Sequence, residues 1–94
     1  MSDDKLMDLT ILTPSETLYV GKVKKVKIPG EKSPFQVLYN HAPILSTLSA
    51  GTIVCVDSEE KTTVFNISGG VVEVLNNAIT ITGEEISKIV NSNI

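Results

Sequence analysis

Short runs of alternating apolar and polar residues follow one another along almost the whole chain, with turn formers between them roughly every 8–12 residues. This rhythm limits the fold more than any other feature. A period of two places every second side chain on one face, which suits a strand half-buried on a core and does not suit a helix. In LMDLTIL (6–12), Leu9 and Ile11 share one face while Asp8 and Thr10 share the other. TIVCVD and TTVFNI form a pair joined by SEEK, and VVEVL and AITIT form a second pair around Asn76 and Asn77. Both asparagines tolerate the left-handed backbone that tight hairpins need. The apolar residues are mostly Val and Ile, with Thr close behind. Such β-branched side chains are stiff in helices and pack well on pleated surfaces. The pattern predicts an all-β sandwich or barrel in one domain, since 94 residues suffice for a core without disulfides or metal.

Two segments break the rhythm. In TLYVGKVKKVKIPG, Val23 and Val26 are three apart, so strict alternation would place them on opposite faces. One extra residue near Lys24 and Lys25 would bring Val23, Val26 and Ile28 onto a common face, which predicts a β-bulge. In the tail GEEISKIVNSNI, Ile86, Ile89 and Val90 have helical spacing, though the segment is short for a stable helix. PILSTLSAG reads either as a helical turn or as a strand. TPSE, GEKSP and SGG are turn or loop chemistry, and SGG calls for unusual backbone angles.

Composition narrows the function. The net charge is −3, which disfavours a nucleic-acid binder, whose affinity comes largely from neutralising phosphates. Lys22, Lys24, Lys25 and Lys27 form a basic cluster without interleaved aromatics, and their expected role is to blunt an edge strand. A single Cys rules out an intramolecular disulfide and a Cys-rich zinc site and fits a reducing compartment. No run approaches the ~20 apolar residues of a membrane span, and MSDDKLMD is no secretory signal, so the expectation is a soluble protein without lipid insertion. No phosphate-binding glycine loop occurs. Glu59–Glu60 and Glu84–Glu85 fall in polar turns.

The lone histidine stands in NHAPILSTLSAG, at the mouth of an uncharged apolar stretch. As a general base it would need an orienting partner, and no motif supplies one. As a zinc ligand it would have only Cys55 for soft company, and Cys55 alternates with Val54 and Val56 as a buried residue would. His41 is therefore read as a turn residue or a partner contact. No catalytic residue, cofactor site or metal site is expected.

The most specific strings are VLYNHAPIL and ISGGVVEV, in this order, with TP after the first strand and PGE before the loop. Together they resemble the N-terminal β-sandwich domain of the epsilon subunit of F-type ATP synthase, over roughly residues 6–86. The resemblance implies a flattened sandwich of about ten strands at 6–83, between an N-terminal tail (1–5) and a short C-terminal tail (84–94). It implies a non-catalytic rotor subunit at the foot of the central stalk, linking the gamma subunit to the ring of c subunits. By that likeness Thr13, His41, Ala42, Pro43, Leu45 and Ser46 would face gamma, and Glu31, Lys32, Ser33 and Pro34 would face the c ring. The place would be peripheral, on the cytoplasmic face of a bacterial inner membrane. Family members often carry glycines in and after this loop, where Ser33, Pro34 and Gln36 stand here. They often have Pro-Gly before the His, where this chain has Tyr39 and Asn40, and Asn can adopt the same left-handed turn. Typical bacterial members continue into a helical hairpin that restrains hydrolysis and in some binds ATP. With the sequence reaching only Ile94, the expectation is assembly and coupling without that brake and without ATP binding. The other reading is a free-standing ligand-binding or adaptor sandwich of the same ancestry.

Overall fold

A computed structural model describes residues 5–92, with side chains to 89. Nine strands make up the fold: β1 (Met7–Leu12), β2 (Thr17–Ile28), β3 (Phe35–Leu38), β4 (Ile44–Leu48), β5 (Gly51–Asp57), β6 (Thr62–Ile67), β7 (Gly70–Leu75), β8 (Ala78–Thr82) and β9 (Ile86–Ser92). Hydrogen bonding runs continuously in the order β4-β7-β8-β1-β2-β5-β6-β9, with β3 on β2. All neighbours are antiparallel except β1 and β8.

The path folds over on itself at β2. Residues 17–23 of this strand pair with β1, and residues 23–27 pair with β5. The register shifts between Val23 and Lys25, where the sequence called for a bulge. Because of the extra residue, Val23, Val26 and Ile28 are all buried. The first layer is β4-β7-β8-β1 with the start of β2, and the second is β3, the end of β2, β5, β6 and β9. The resemblance implied about ten strands. Nine are found among the described residues, and β2 takes a place in each layer.

One apolar core lies between the layers. Met7, Leu9, Ile11, Val72, Val74, Ile79 and Ile81 come from the first layer, and Val26, Ile28, Val37, Ile53, Cys55, Phe65 and Ile67 from the second. Phe65 is fully buried, and the ring of Tyr19 meets it edge-on with centroids 6.0 Å apart, joining the layers.

The structure settles one open reading and revises two expectations. PILSTLSAG holds a strand, β4, whose residues alternate between the core side and solvent. Residues 86–92, expected within a tail, are strand β9 on the edge of β6. Pairing there slips between Val64 and Phe65, which sit opposite Val90 and Lys88, so Ile89 is the extra residue. The helix-like spacing of Ile86 and Ile89 is thus a second bulge. The expected N-terminal tail falls outside the described residues apart from Lys5, as do the last two residues. Finally, Lys25 and Lys27 blunt no edge, because residues 25–27 of β2 pair with β3 on one side and β5 on the other, whereas Lys22 lies where β2 pairs with β1 alone. Lys22 bonds Asp8 at 2.9 Å and Lys24 pairs with Glu60, while Lys25 and Lys27 stand on the outer face of the second layer.

Turn chemistry matches the sequence. Asn76 and Asn77 have φ of 52° and 65°, and Asn40 has φ of 64°. Gly69 takes φ of 144°, and Gly70 meets the end of β8 so closely that a Cβ there would lie 2.0 Å from Thr82 O. Neither backbone can yield without breaking the β7–β8 ladder. Gly70→Ala is expected to cost about 3 kcal/mol or more, in the upper range of single substitutions. Asn77→Ala should cost about 1–2 kcal/mol from the left-handed backbone alone. Urea denaturation of the two variants beside the wild type checks the order.

Candidate interaction surface

The residues expected to carry function fall into three groups around the first layer. The turn between β3 and β4 holds His41, Ala42 and Pro43, all exposed. It is fastened to the β7–β8 hairpin by two bonds: Asn40 N donates to Asn77 Oδ1 at 2.6 Å, and Asn77 Nδ2 donates to Asn40 Oδ1 at 3.0 Å. His41 N donates to Leu38 O at 3.1 Å, closing the turn. The His41 ring turns back on its own chain, with Nδ1 donating to Ala42 O at 2.8 Å. Among the described residues its ring makes no hydrogen bond to an acid or a nucleophile.

The loop of Glu31, Lys32, Ser33 and Pro34 is exposed and lies at the other end of β4. Glu31 N donates to Thr47 O at 3.1 Å, Thr47 Oγ1 donates to the Glu31 carboxylate, and Gly30 bridges to Leu48. Strand β4 thus separates the two exposed segments by its own length. Thr13 is at a third corner, in the β1–β2 turn. Its Oγ1 accepts from Ser15 N at 3.3 Å and Glu16 N at 3.2 Å, which fixes the turn. Thr13 also helps line an open groove of about 540 Å³, with Leu12, Pro14, Gly69, Gly70 and Gly83.

Alternation divides the rest. Leu45 projects from β4 into solvent with 78% of its surface exposed, whereas Ser46 turns toward the core side, half-buried, and donates to Thr47 O at 3.1 Å. The structure therefore does not join Thr13, His41 and Ser46 into one cluster. What it does assemble was not read from the sequence. The outer face of the first layer carries Val20, Leu45, Val71 and Leu75, all exposed. Register aligns one row as Leu45, Glu73, Thr80, Thr10 and Val20, straight across five strands. A signal existed: in GVVEVL the solvent-facing positions are Val71, Glu73 and Leu75, two of three apolar.

Cys55 lies in the core, its Sγ donating to Thr63 O at 3.6 Å and hydrogen-bonded to Tyr19. Burial pushes its thiol up from 9.0 to about 11, against the opposing pull of the hydrogen bond from Tyr19. Burial likewise raises Tyr19 from 10.0 to about 12, helped by the charges of Cys55 and Asp57. Such a thiol is neither a ready nucleophile nor a metal ligand at neutral pH.

Comparison with known proteins decides the family. The sequence model for the ATP synthase delta/epsilon chain, beta-sandwich domain, matches residues 6–89. The chain belongs to the delta/epsilon family of ATP synthase. The ATP synthase epsilon chain of Chlorobaculum tepidum is 37% identical over 86 residues, covering 92% of this chain and 98% of its own length. That of Maricaulis maris is 40% identical over 85 residues, covering 90% of this chain and 62% of its own length. This chain therefore spans about three fifths of the Maricaulis relative and nearly all of the Chlorobaculum one. Among solved structures, a chain of the Euglena gracilis mitochondrial ATP synthase (OSCP, F1 and c-ring) superposes with a TM-score of 0.84 at 21% identity, over 94% of this chain and 56% of that one. A chain of the Tetrahymena thermophila mitochondrial ATP synthase (central stalk and c-ring) gives 0.70 at 17% identity, over 85% and 64%. At these identities the superpositions establish the sandwich fold for this member of the epsilon family.

The raised pKa values set an alkaline limit to stability. Both groups are acids whose neutral form the fold favours, so their contribution is complete below about pH 9 and is lost as pH rises through about 11 and 12. The urea midpoint is expected to fall above pH 9, and to fall less steeply in Cys55→Ala and Tyr19→Phe. A midpoint that stayed level to pH 11 would contradict this account of the buried pair.

Proposed function

We propose that this epsilon-family chain is a non-catalytic subunit of the ATP synthase central stalk, binding gamma on one side and the c ring on the other. Family membership across residues 6–89 carries the proposal. The geometry supports it: two exposed segments, 31–34 and 41–43, are held at opposite ends of β4 by backbone bonds to a stiff sandwich. A part that transmits torque between two partners needs separate contacts on a body that does not deform. On this reading His41, Ala42, Pro43 and Leu45 touch gamma, Thr13 and Ser46 lie at the margins of that contact, and Glu31, Lys32, Ser33 and Pro34 meet the c ring. The chain sits at the membrane only through the complex, on the cytoplasmic face, and inserts nothing into lipid. It binds no ATP.

Reconstitution tests this directly. Adding the purified chain to ATP synthase vesicles stripped of their epsilon subunit should restore ATP-driven proton uptake without a nucleotide-sensitive drop in hydrolysis. Uptake unchanged by the addition would end the proposal. In the binding step, His41→Ala should weaken affinity for gamma by roughly 1–2 kcal/mol, the size of an ordinary interface truncation, with the unfolding transition unmoved. Calorimetric titration with ATP and magnesium should give no saturable heat up to millimolar nucleotide, and a saturable isotherm would show a ligand site that this reading denies.

A further inference from the structure

Gly30, Glu31, Lys32 and Ser33 form a loop between two prolines, Pro29 and Pro34, and only its first half is fastened. Ser49 N donates to Pro29 O at 2.8 Å, Gly30 N donates to Ile28 O at 3.0 Å, and Glu31 N donates to Thr47 O at 3.1 Å. A Cβ on Gly30 would lie 2.6 Å from Ser33 O and 2.7 Å from the ring of Phe35, so the loop closes tightly over this residue. Past Glu31 the hydrogen bonds stop. Among the described residues Lys32 and Ser33 make none, and both are exposed.

The Glu31 side chain is where this loop departs from ordinary surface chemistry. A carboxylate on an exposed loop usually points into water. This one turns back to β4 and accepts a hydrogen bond from Thr47 Oγ1. Thr47 therefore holds Glu31 twice, by its carbonyl and by its hydroxyl. The hydroxyl is well placed to do so, because Thr47 is fixed in the β4–β7 ladder opposite Val71 and its branched side chain has few rotamers. A hydrogen bond to a carboxylate is stronger than a neutral one, but in solvent it remains modest. It is too weak to hold the sandwich together and strong enough to choose among loop conformations of similar energy.

We propose that Thr47 is a positioning residue for the c-ring contact: by holding the Glu31 carboxylate against β4, it sets the direction in which Lys32, Ser33 and Pro34 are presented to the ring. The inference rests on the c-ring contact proposed above and divides the work within it. Lys32, Ser33 and Pro34 make the contact, and Glu31 serves by its tie to Thr47. A loop ordered beforehand gives up less freedom when it binds. The tie also joins the loop to β4, so a push on the loop passes into the strand instead of swinging the loop aside.

The test titrates the full chain into ATP synthase vesicles stripped of their epsilon subunit. Thr47→Val keeps the side chain's shape and removes the donor, and Glu31→Ala removes the acceptor. Each should raise the concentration of chain needed for half-maximal proton uptake about three- to ten-fold, the size of a loop-ordering cost. Thr47→Ser keeps the hydroxyl and Glu31→Gln keeps an accepting oxygen, so both should stay close to the wild type. Nitrogen-15 relaxation of the free chain should show looser Lys32 and Ser33 amides in Thr47→Val and Glu31→Ala and not in the conservative pair. Affinity for purified gamma and the urea midpoint should stay at the wild-type level in all four, since both side chains are exposed. Thr47→Val acting at the wild-type concentration would overturn the positioning role and leave the c-ring contact standing. Glu31→Gln as poor as Glu31→Ala would show that the charge itself meets the ring, and would overturn it too. Gamma affinity falling in step with uptake would assign Thr47 to the body of the sandwich instead. If the wild type restores no uptake, the functional reading fails and this one fails with it.

Discussion

The bulge between Val23 and Lys25 is the constraint on which the sandwich depends. A strand of 12 residues, fully extended, would run about 40 Å, as long as the molecule's largest dimension of 38 Å. Left straight it would belong to one sheet only. The extra residue bends it, moves it from β1 to β5, and restores the inward face for Val26 and Ile28. Without that shift the valines on either side of the lysines could not both be buried, and the layers would have no common core. Lys24, near the bulge, pairs with Glu60 of the β5–β6 connection, which places the bend against a hairpin tip. Asp57 braces that tip by accepting from Glu59 N and Lys61 N at 2.9 and 3.0 Å.

Positioning of the exposed segments follows from that core through a few backbone bonds. The β3–β4 turn is not free to sway, because Asn40 and Asn77 clasp each other while both occupy left-handed backbone. At the far end of β4, Pro29, Gly30 and Glu31 close against Thr47, Leu48 and Ser49. These bonds also occupy part of the otherwise open edge of β4, and Pro43 stands just ahead of its first residue. The edge is therefore short of free pairing groups, which guards it against adding a stray strand. The same features that hold the contact segments apart thus keep the chain from self-pairing there.

The two side chains that the sequence weighed for chemistry are both held by the fold. His41 spends its Nδ1 on the neighbouring carbonyl. Cys55 sits in the core with its proton held by burial. The surface that stands out is instead the outer face of the first layer, where exposed Val20, Leu45, Val71 and Leu75 surround Glu73, which suits contact with another protein.

Strand alternation, the β2 bulge, the asparagine turns and the glycine turn at Gly69 were all legible in the sequence, because each is a local rule about one or two residues. The family strings in the segments around His41 and Gly69 were legible for the same reason. The character of the tail was not, since a three-residue apolar spacing describes a helical turn and a bulged strand equally well, and only pairing with β6 makes it a strand. Nor was the place of the lysines, because edge and centre are properties of the sheet and not of the strand. The outer face of the first layer is the clearest case. Val20, Leu45 and Val71 lie on three strands far apart in sequence, and only Leu45 was marked there, by family likeness and not with the other two. Register across five strands brings them onto one surface around Glu73, and register is decided by which strands pair, which local sequence does not state.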